Sequence, residues 1–281
     1  MFTFLIPAHD EQDTIATIVG QAQQAAQPGD RVLVIDSAST DTTAQRAAAA
    51  GADVLRGPIG KGAAIAAGIT AIDTEWACLL DSDLVSSTGN VPAMLRHAAV
   101  ASGADQVLGD YEYADPATIL ASTFTIYEPI VAEFFPEVGD LGANSLTGYR
   151  AVRHAYLDGL LPIDFGMEAY LNISIAVAGG TTTVQHLGVI TSRFRRKSHM
   201  HLEIGRSILD LAVARGRLDP DDRPLWDAWI SDGSSAIHGV GAAGARSATL
   251  ARLFKAVRRP MPVRAHRRES ALSIVPEPLP T

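Results

Sequence analysis

Two aspartates two residues apart, Asp81 and Asp83, stand directly after the apolar run Trp76-Ala77-Cys78-Leu79-Leu80. In an extended backbone, residues i and i+2 project to one face, so both carboxylates can meet one divalent cation. Hard oxygen donors suit Mg²⁺ or Mn²⁺, and Mg²⁺ is usually held by one or two carboxylates plus substrate phosphates. An Asp-x-Asp triplet alone is a weak pattern. Three polar segments upstream, each closing an apolar run, give it weight.

The first is Pro7-Ala8-His9-Asp10-Glu11. Its carboxylates suit a helix N-terminus, where capping is their ordinary role; their functional role is to frame a base and a ribose. The second is Asp36-Ser37-Ala38-Ser39-Thr40-Asp41. Asp36 is placed to accept from a base N–H or a ribose hydroxyl, and Ser39, Thr40 or Asp41 can cap the next helix. The third is Gly57-Pro58-Ile59-Gly60-Lys61-Gly62. Its glycines admit a phosphate to the backbone, the following helix offers N–H donors, and Lys61 brings a point charge. It is not a Walker loop, because the spacing and the Ser or Thr after the lysine are missing.

The elements that must carry these segments alternate. Apolar runs at 2–6, 31–35, 53–55, 76–80 and 106–108 read as strands, and 13–27, 41–50, 61–72 and 92–101 read as helices. Such alternation argues a mostly parallel α/β sheet whose ligands bind beyond the carboxyl ends of the strands. Downstream, 116–135 reads as a long helix, 146–150 as a strand or turn entering a helix, 166–178 as a helix, 181–190 as β-rich and 202–217 as an amphipathic helix. Two units are expected, a catalytic domain over 1–217 and a C-terminal helical extension with a tail over 218–281.

The chain has 281 residues, 47% hydrophobic content and a net charge of −8. That suits a sizeable core and gives no overall basic field for nucleic acid. The lone cysteine, Cys78, excludes an internal disulfide and reads as a small buried apolar residue. No apolar stretch reaches about 18 residues, so no membrane span is expected. The N-terminus lacks a basic leader, and the expectation is a cytoplasmic protein.

In this order the four segments resemble nucleotide-sugar glycosyltransferases of the GT-A fold, over roughly 2–215. Within that group the similarity is to the retaining glucosyl-3-phosphoglycerate and mannosylglycerate synthases. The resemblance implies that Pro7, Ala8, Asp10, Glu11, Asp36 and Ser37 line the nucleoside pocket. Gly60, Lys61 and Gly62 would face the donor diphosphate, and Asp81, Ser82 and Asp83 the metal and nucleotide. Leu146-Thr147-Gly148 resembles an acceptor-contact stretch, and Asp164-Phe165-Gly166-Met167-Glu168 a segment that sets Glu168 near the acceptor and the anomeric carbon.

Arg150, Arg153, Tyr111 and its neighbours would add acceptor or sugar contacts. The basic run Arg193, Arg195, Arg196 and Lys197 would balance a diphosphate or an anionic acceptor. After Leu187-Gly188-Val189 the pattern breaks. Lys197-Ser198-His199 resembles the Lys-Ala-His of mannosylglycerate synthase, which makes His199 the expected third metal ligand and His201 the next choice. Arg264-Ala265-His266 repeats a synthase signature far beyond the expected strand and reads as coincidence.

The function so implied is metal-dependent transfer of a hexose from an NDP-sugar, UDP-glucose first, to a small hydroxylated acceptor such as 3-phosphoglycerate, with retention. Asp83, Glu168 and Lys61 would carry it, and a homodimer is expected because the related synthases dimerise. An inverting family 2 transferase with a carboxylate base is the alternative. A sugar-phosphate nucleotidyltransferase would need a glycine-rich loop with arginine after the first strand, where this chain has Pro7-Ala8-His9-Asp10.

Overall fold

The computed structural model describes residues 1–114, 121–157, 161–193, 199–238, 255 and 257–262. Expectations that fall on Arg195, Arg196, Lys197, Ser198, the 239–244 loop, the Arg264-to-His266 signature and the tail lie outside these residues.

Alternating apolar residues build the sheet. Strands β1 (Phe2–Ala8), β2 (Arg31–Asp36), β3 (Asp53–Arg56) and β4 (Trp76–Leu79) pair in parallel. Phe4, Ile6, Val32, Val34 and Cys78 face one side and pack with Ile15, Ile18, Val19 and Leu95. These belong to α1 (Ile15–Ala25) and α4 (Val91–Ser102). Leu5, Leu33, Ile35, Ala77 and Leu79 face the other side and pack with Ile65, Ile69, Leu171 and Ile175. These belong to α3 (Lys61–Ile69) and α6 (Met167–Val177). The short α2 (Thr43–Ala49) joins β2 to β3. The core is thus a sheet covered on both faces, as parallel pairing requires.

Among the described residues the sheet has eight strands in the order β3-β2-β1-β4-β7-β6-β8-β5. The others are β5 (Leu84–Ser87), β6 (Gln106–Tyr113), β7 (Arg150–Arg153) and β8 (Thr182–Ser192). Strand β7 runs antiparallel to β4 and β6, and β5 antiparallel to β8. The sheet is mostly parallel, as expected, and these two reversals place the site. The described part of the long helix expected over 116–135 is a π-helical turn at Thr123–Tyr127 leading into α5 (Glu128–Phe134). Helix α7 (Met200–Ala214) is followed by α8 (Arg223–His238). Trp226, Trp229 and Ile230 of α8 are buried with Ile204, Ile208, Phe134 and Phe135 in a third cluster beside the sheet. Among the described residues, no helix is long and apolar enough to cross a membrane.

Candidate active site

The parallel register sets Ala8, Asp36 and Arg56 side by side at one edge of the sheet. This is the edge where ligands of open α/β sheets bind. A cavity of about 210 Å³ opens there, lined by Asp36, Ala38, Ser39, Arg56 and Gly57. Asp36 is 4% exposed, and its Oδ1 accepts from the Ser39 N–H at 3.3 Å. Pro7 and Ala8 are buried where β1 ends. The β1 loop is latched to the β2 loop. Asp10 Oδ1 accepts from the Thr40 N–H at 2.8 Å, and the Glu11 N–H donates to Thr43 Oγ1 at 2.7 Å. The hydrogen bond from Thr40 holds the Asp10 carboxyl below its ordinary range.

Ser37 is buried and acts as a staple. Its hydroxyl donates to the Pro58 carbonyl at 2.5 Å and accepts from the Gly60 N–H at 3.1 Å. This holds the glycine loop against the end of β2. Gly60 has φ of +112°, and a Cβ at Gly62 would lie 2.5 Å from the Asp164 carbonyl oxygen. The loop therefore turns into α3 pressed against the 163–164 segment, and Lys61 leaves it from the first position of the helix.

The ammonium of Lys61 lies between two carboxylates. Its Nζ is 2.7 Å from Asp81 Oδ1 and 2.7 Å from Glu168 Oε1. Burial alone would push this lysine down, but the charges of Asp81 and Glu168 outweigh it and hold the ammonium above its ordinary range. Glu168 is 4% exposed, in the first turn of α6. Three charges from three separate segments thus converge, and the buried Arg150 guanidinium lies within electrostatic reach of both carboxylates.

Strand β7 explains why Asp81 points there. Because Leu79 pairs with Arg150 in antiparallel register, the residues before β7 lie beside those after β4. Gly148 is packed so closely that a Cβ on it would stand 2.2 Å from Asp81 Oδ1. Gly148, expected at the acceptor, is the seat of the Asp81 carboxylate. Local sequence gives no sign of this, because the contact comes from strand pairing.

The aspartate pair does not use extended geometry. The chain turns at Ser82 and Asp83 before β5, so the same-face argument fails in its original form. Both carboxylates still lie within electrostatic reach of the Tyr113 and Tyr149 hydroxyls. Burial raises the Tyr149 and Tyr113 hydroxyls, and the charges of both Asp81 and Asp83 add to the rise. Ser82 is buried between them.

Arg150 corrects its expected role at the acceptor. It is fully buried, and every guanidinium nitrogen is engaged. Nε and Nη2 donate to the Thr147 carbonyl at 3.0 and 2.6 Å. Nη1 donates to Asn172 Oδ1 at 3.0 Å and to the Glu168 carbonyl at 3.2 Å. Arg150 therefore braces the 145–147 loop and the start of α6 from behind. Tyr111 is likewise 8% exposed, packed edge-on against Tyr113 and Tyr149, with its hydroxyl 3.3 Å from that of Tyr113. It packs beneath the site. Arg153 pairs with Glu75 and covers Trp76, away from these groups.

His199 is not brought to the aspartates. It sits at the start of α7, 3.9 Å from Glu203 and against the Phe165 ring. His201 Nδ1 is 2.5 Å from Ser122 Oγ. Among the described residues, no three His, Cys, Asp or Glu side chains gather into a metal-binding group. The donor set at this edge is carboxylate oxygen from Asp83 and Asp81. It suits a hard cation whose remaining positions are filled by substrate oxygens and water.

Residues 3–153 match the profile of the family described as Glycosyl transferase family 2. A glycosyltransferase of Haloferax volcanii, AglJ, is 31% identical over 186 residues, which are 64% of this chain and 60% of that protein. The chain therefore spans well under two thirds of that relative's length. Among solved structures, glucosyl-3-phosphoglycerate synthase from Mycobacterium tuberculosis superposes with a TM-score of 0.66 at 24% identity. The match covers 78% of this chain and 81% of that one, and that protein was solved with Mn²⁺, UDP-glucose and phosphoglyceric acid. Mannosyl-3-phosphoglycerate synthase from Rubrobacter xylanophilus gives 0.70 at 20% identity, covering 78% and 76%. At these identities the two synthases show the shared GT-A fold.

Proposed function

The chain belongs to glycosyltransferase family 2, and from that premise we propose that it moves a hexose from an NDP-sugar, with UDP-glucose the first candidate, to a small anionic hydroxyl compound such as 3-phosphoglycerate. The observation that carries this reading is the Lys61 ammonium held between Asp81 and Glu168 at the carboxyl edge of the sheet. The nucleoside enters the cavity at Asp36 and Ser39, and the diphosphate runs past Gly60 toward Lys61.

Asp83, with Asp81 beside it, would hold Mg²⁺ or Mn²⁺. Bound there, the ion would stabilise the charge that grows on the departing nucleoside diphosphate. Lys61 contributes a fixed positive charge from the protein side. Glu168 sits across the ammonium from Asp81, and we assign it to the sugar and acceptor side. By likeness to the retaining synthases we assign retention of the anomeric configuration, and with no side chain among the described residues set as a covalent nucleophile, front-face attack is the route that gives it. The synthase complex with UDP-glucose and phosphoglyceric acid supports this choice of donor and acceptor by likeness of fold.

The test is release of UDP from UDP-glucose on addition of 3-phosphoglycerate and Mn²⁺. The wild-type chain should turn over only with the metal, and Asp83→Ala should lose turnover while keeping its unfolding temperature. A fully active Asp83→Ala protein would reject the assignment.

A further inference from the structure

Arg193 ties together three segments that the sheet alone leaves separate. Leu84 pairs with Ser192 in the antiparallel β5–β8 ladder. The Arg193 N–H then donates to the Asp83 carbonyl at 2.8 Å, one step beyond the ladder. The side chain reaches the opposite way. Nη1 donates to Asp13 Oδ2 at 2.9 Å, Nη2 donates to the Asp10 carbonyl at 3.2 Å, and Nε lies 3.9 Å from Glu11 Oε2. The Asp10 N–H donates in turn to Ser39 Oγ at 3.0 Å, and Ser39 lines the cavity beside Asp36. A continuous path of polar contacts therefore runs from the carboxylate turn to the cavity wall, and Arg193 is its middle link.

We propose that Arg193 is a positioning residue that couples the Asp83 turn to the nucleoside loop, so that cation and nucleotide reinforce each other's binding. The inference rests on the nucleotide-sugar reading above. Neither loop is held by regular secondary structure at this point, so their separation depends on side-chain links. The backbone bond to Asp83 survives any substitution; the guanidinium's hold on the β1 loop does not. Its planar fork serves several acceptors at once, whereas a lysine at the same place can keep only part of them. It also pairs with two carboxylates of the same loop, Glu11 and Asp13.

The test is calorimetric titration of the full chain with UDP, with and without Mn²⁺, for wild type, Arg193→Ala and Arg193→Lys. In wild type, Mn²⁺ should raise UDP affinity. In Arg193→Ala that enhancement should fall at least about fivefold, the lower end of ordinary site-to-site coupling, and Arg193→Lys should restore part of it. A purely structural residue would lower the unfolding temperature and leave the enhancement intact, and that result overturns the proposal. Should Arg193→Ala fail to fold, Arg193→Gln decides, since it removes the guanidinium fork while keeping a polar side chain of similar reach: an unchanged enhancement there overturns the coupling. If wild type shows no Mn²⁺-dependent UDP binding, the nucleotide-sugar reading itself fails and takes this inference with it.

Discussion

Replacing Gly148 with alanine should disable the site while leaving the fold largely intact. The new methyl would stand 2.2 Å from Asp81 Oδ1, 2.4 Å from Oδ2 and 2.5 Å from Cγ. Ordinary carbon contacts begin near 3.4 Å, so the carboxylate must retreat by roughly 1 Å and breaks its 2.7 Å contact with Lys61. Losing one charge-assisted hydrogen bond in a largely buried setting costs about 1.5–3 kcal/mol. Gly148 does not have positive φ, so alanine also stiffens the unfolded chain and returns about 0.4–1 kcal/mol. The net loss of stability is therefore modest, about 1–2 kcal/mol. The effect on rate should be larger, because a 1 Å misplacement of a reacting constellation can cost about 100-fold. The assay is kcat/KM for UDP release, read beside urea unfolding. The double variant Asp81→Ala/Gly148→Ala supplies the control. With the carboxylate gone the methyl has nothing to displace, so the double should be no worse than Asp81→Ala alone. Wild-type kcat/KM in Gly148→Ala, or a double variant that loses the product of both effects, would refute the packing argument.

Arg150→Met should destabilise the fold by about 3–5 kcal/mol, since it strands the buried amides of Gln106 and Asn172 and the carbonyls around Thr147; a loss below roughly 1 kcal/mol in urea unfolding would contradict the brace. On acidification the β1–β2 latch should hold until the pH falls below the ordinary carboxylate range. Thr40 holds Asp10 below its ordinary 3.8, and at Asp41 hydrogen bonds from Thr43 outweigh a raising effect of burial. Each contributes stability that is present above that ordinary value and lost as pH falls through the lower folded value. Nucleotide affinity measured from pH 6 down to about pH 3 should fall in step, and flat affinity across that range would contradict it. Cys78 is fully buried and burial pushes its thiol up. A thiol reagent should therefore label it only as the chain unfolds, and rapid labelling of native protein would show that the central strand opens.

The first four strands and their polar ends could be read from the chain because each signal is local. Apolar runs mark the strands, and carboxylates, glycines and a lysine stand where they stop. The fold class and the glycosyltransferase resemblance followed from that order. What escaped depends on pairing between distant segments. Strand β5 is only Leu84-Val85-Ser86-Ser87, and half of it is polar. It exists because β8 offers it a partner. The 146–150 stretch read as a strand or turn entering a helix, and what local sequence could not show is the reversal of β7 against β4 that sets Gly148 under Asp81. Arg150 had the composition of an anion contact, and only the fold turns it inward. A helical extension was expected after 217, but the burial of Trp226, Trp229 and Ile230 of α8 against Ile204, Ile208, Phe134 and Phe135 needed the fold to bring them together. Lys61 was picked for a diphosphate, whereas its pairing with both Asp81 and Glu168 needed three elements to meet.

The central claim is that one cation and one diphosphate meet between Asp83 and Lys61. Crystals grown with UDP and Mn²⁺, measured at the manganese absorption edge, address it directly. The expected result is a single anomalous peak bonded to the Asp83 carboxylate, with phosphate oxygens between it and the Lys61 ammonium. A bound nucleotide with no peak at Asp83, or a diphosphate lying away from Lys61, would contradict the account.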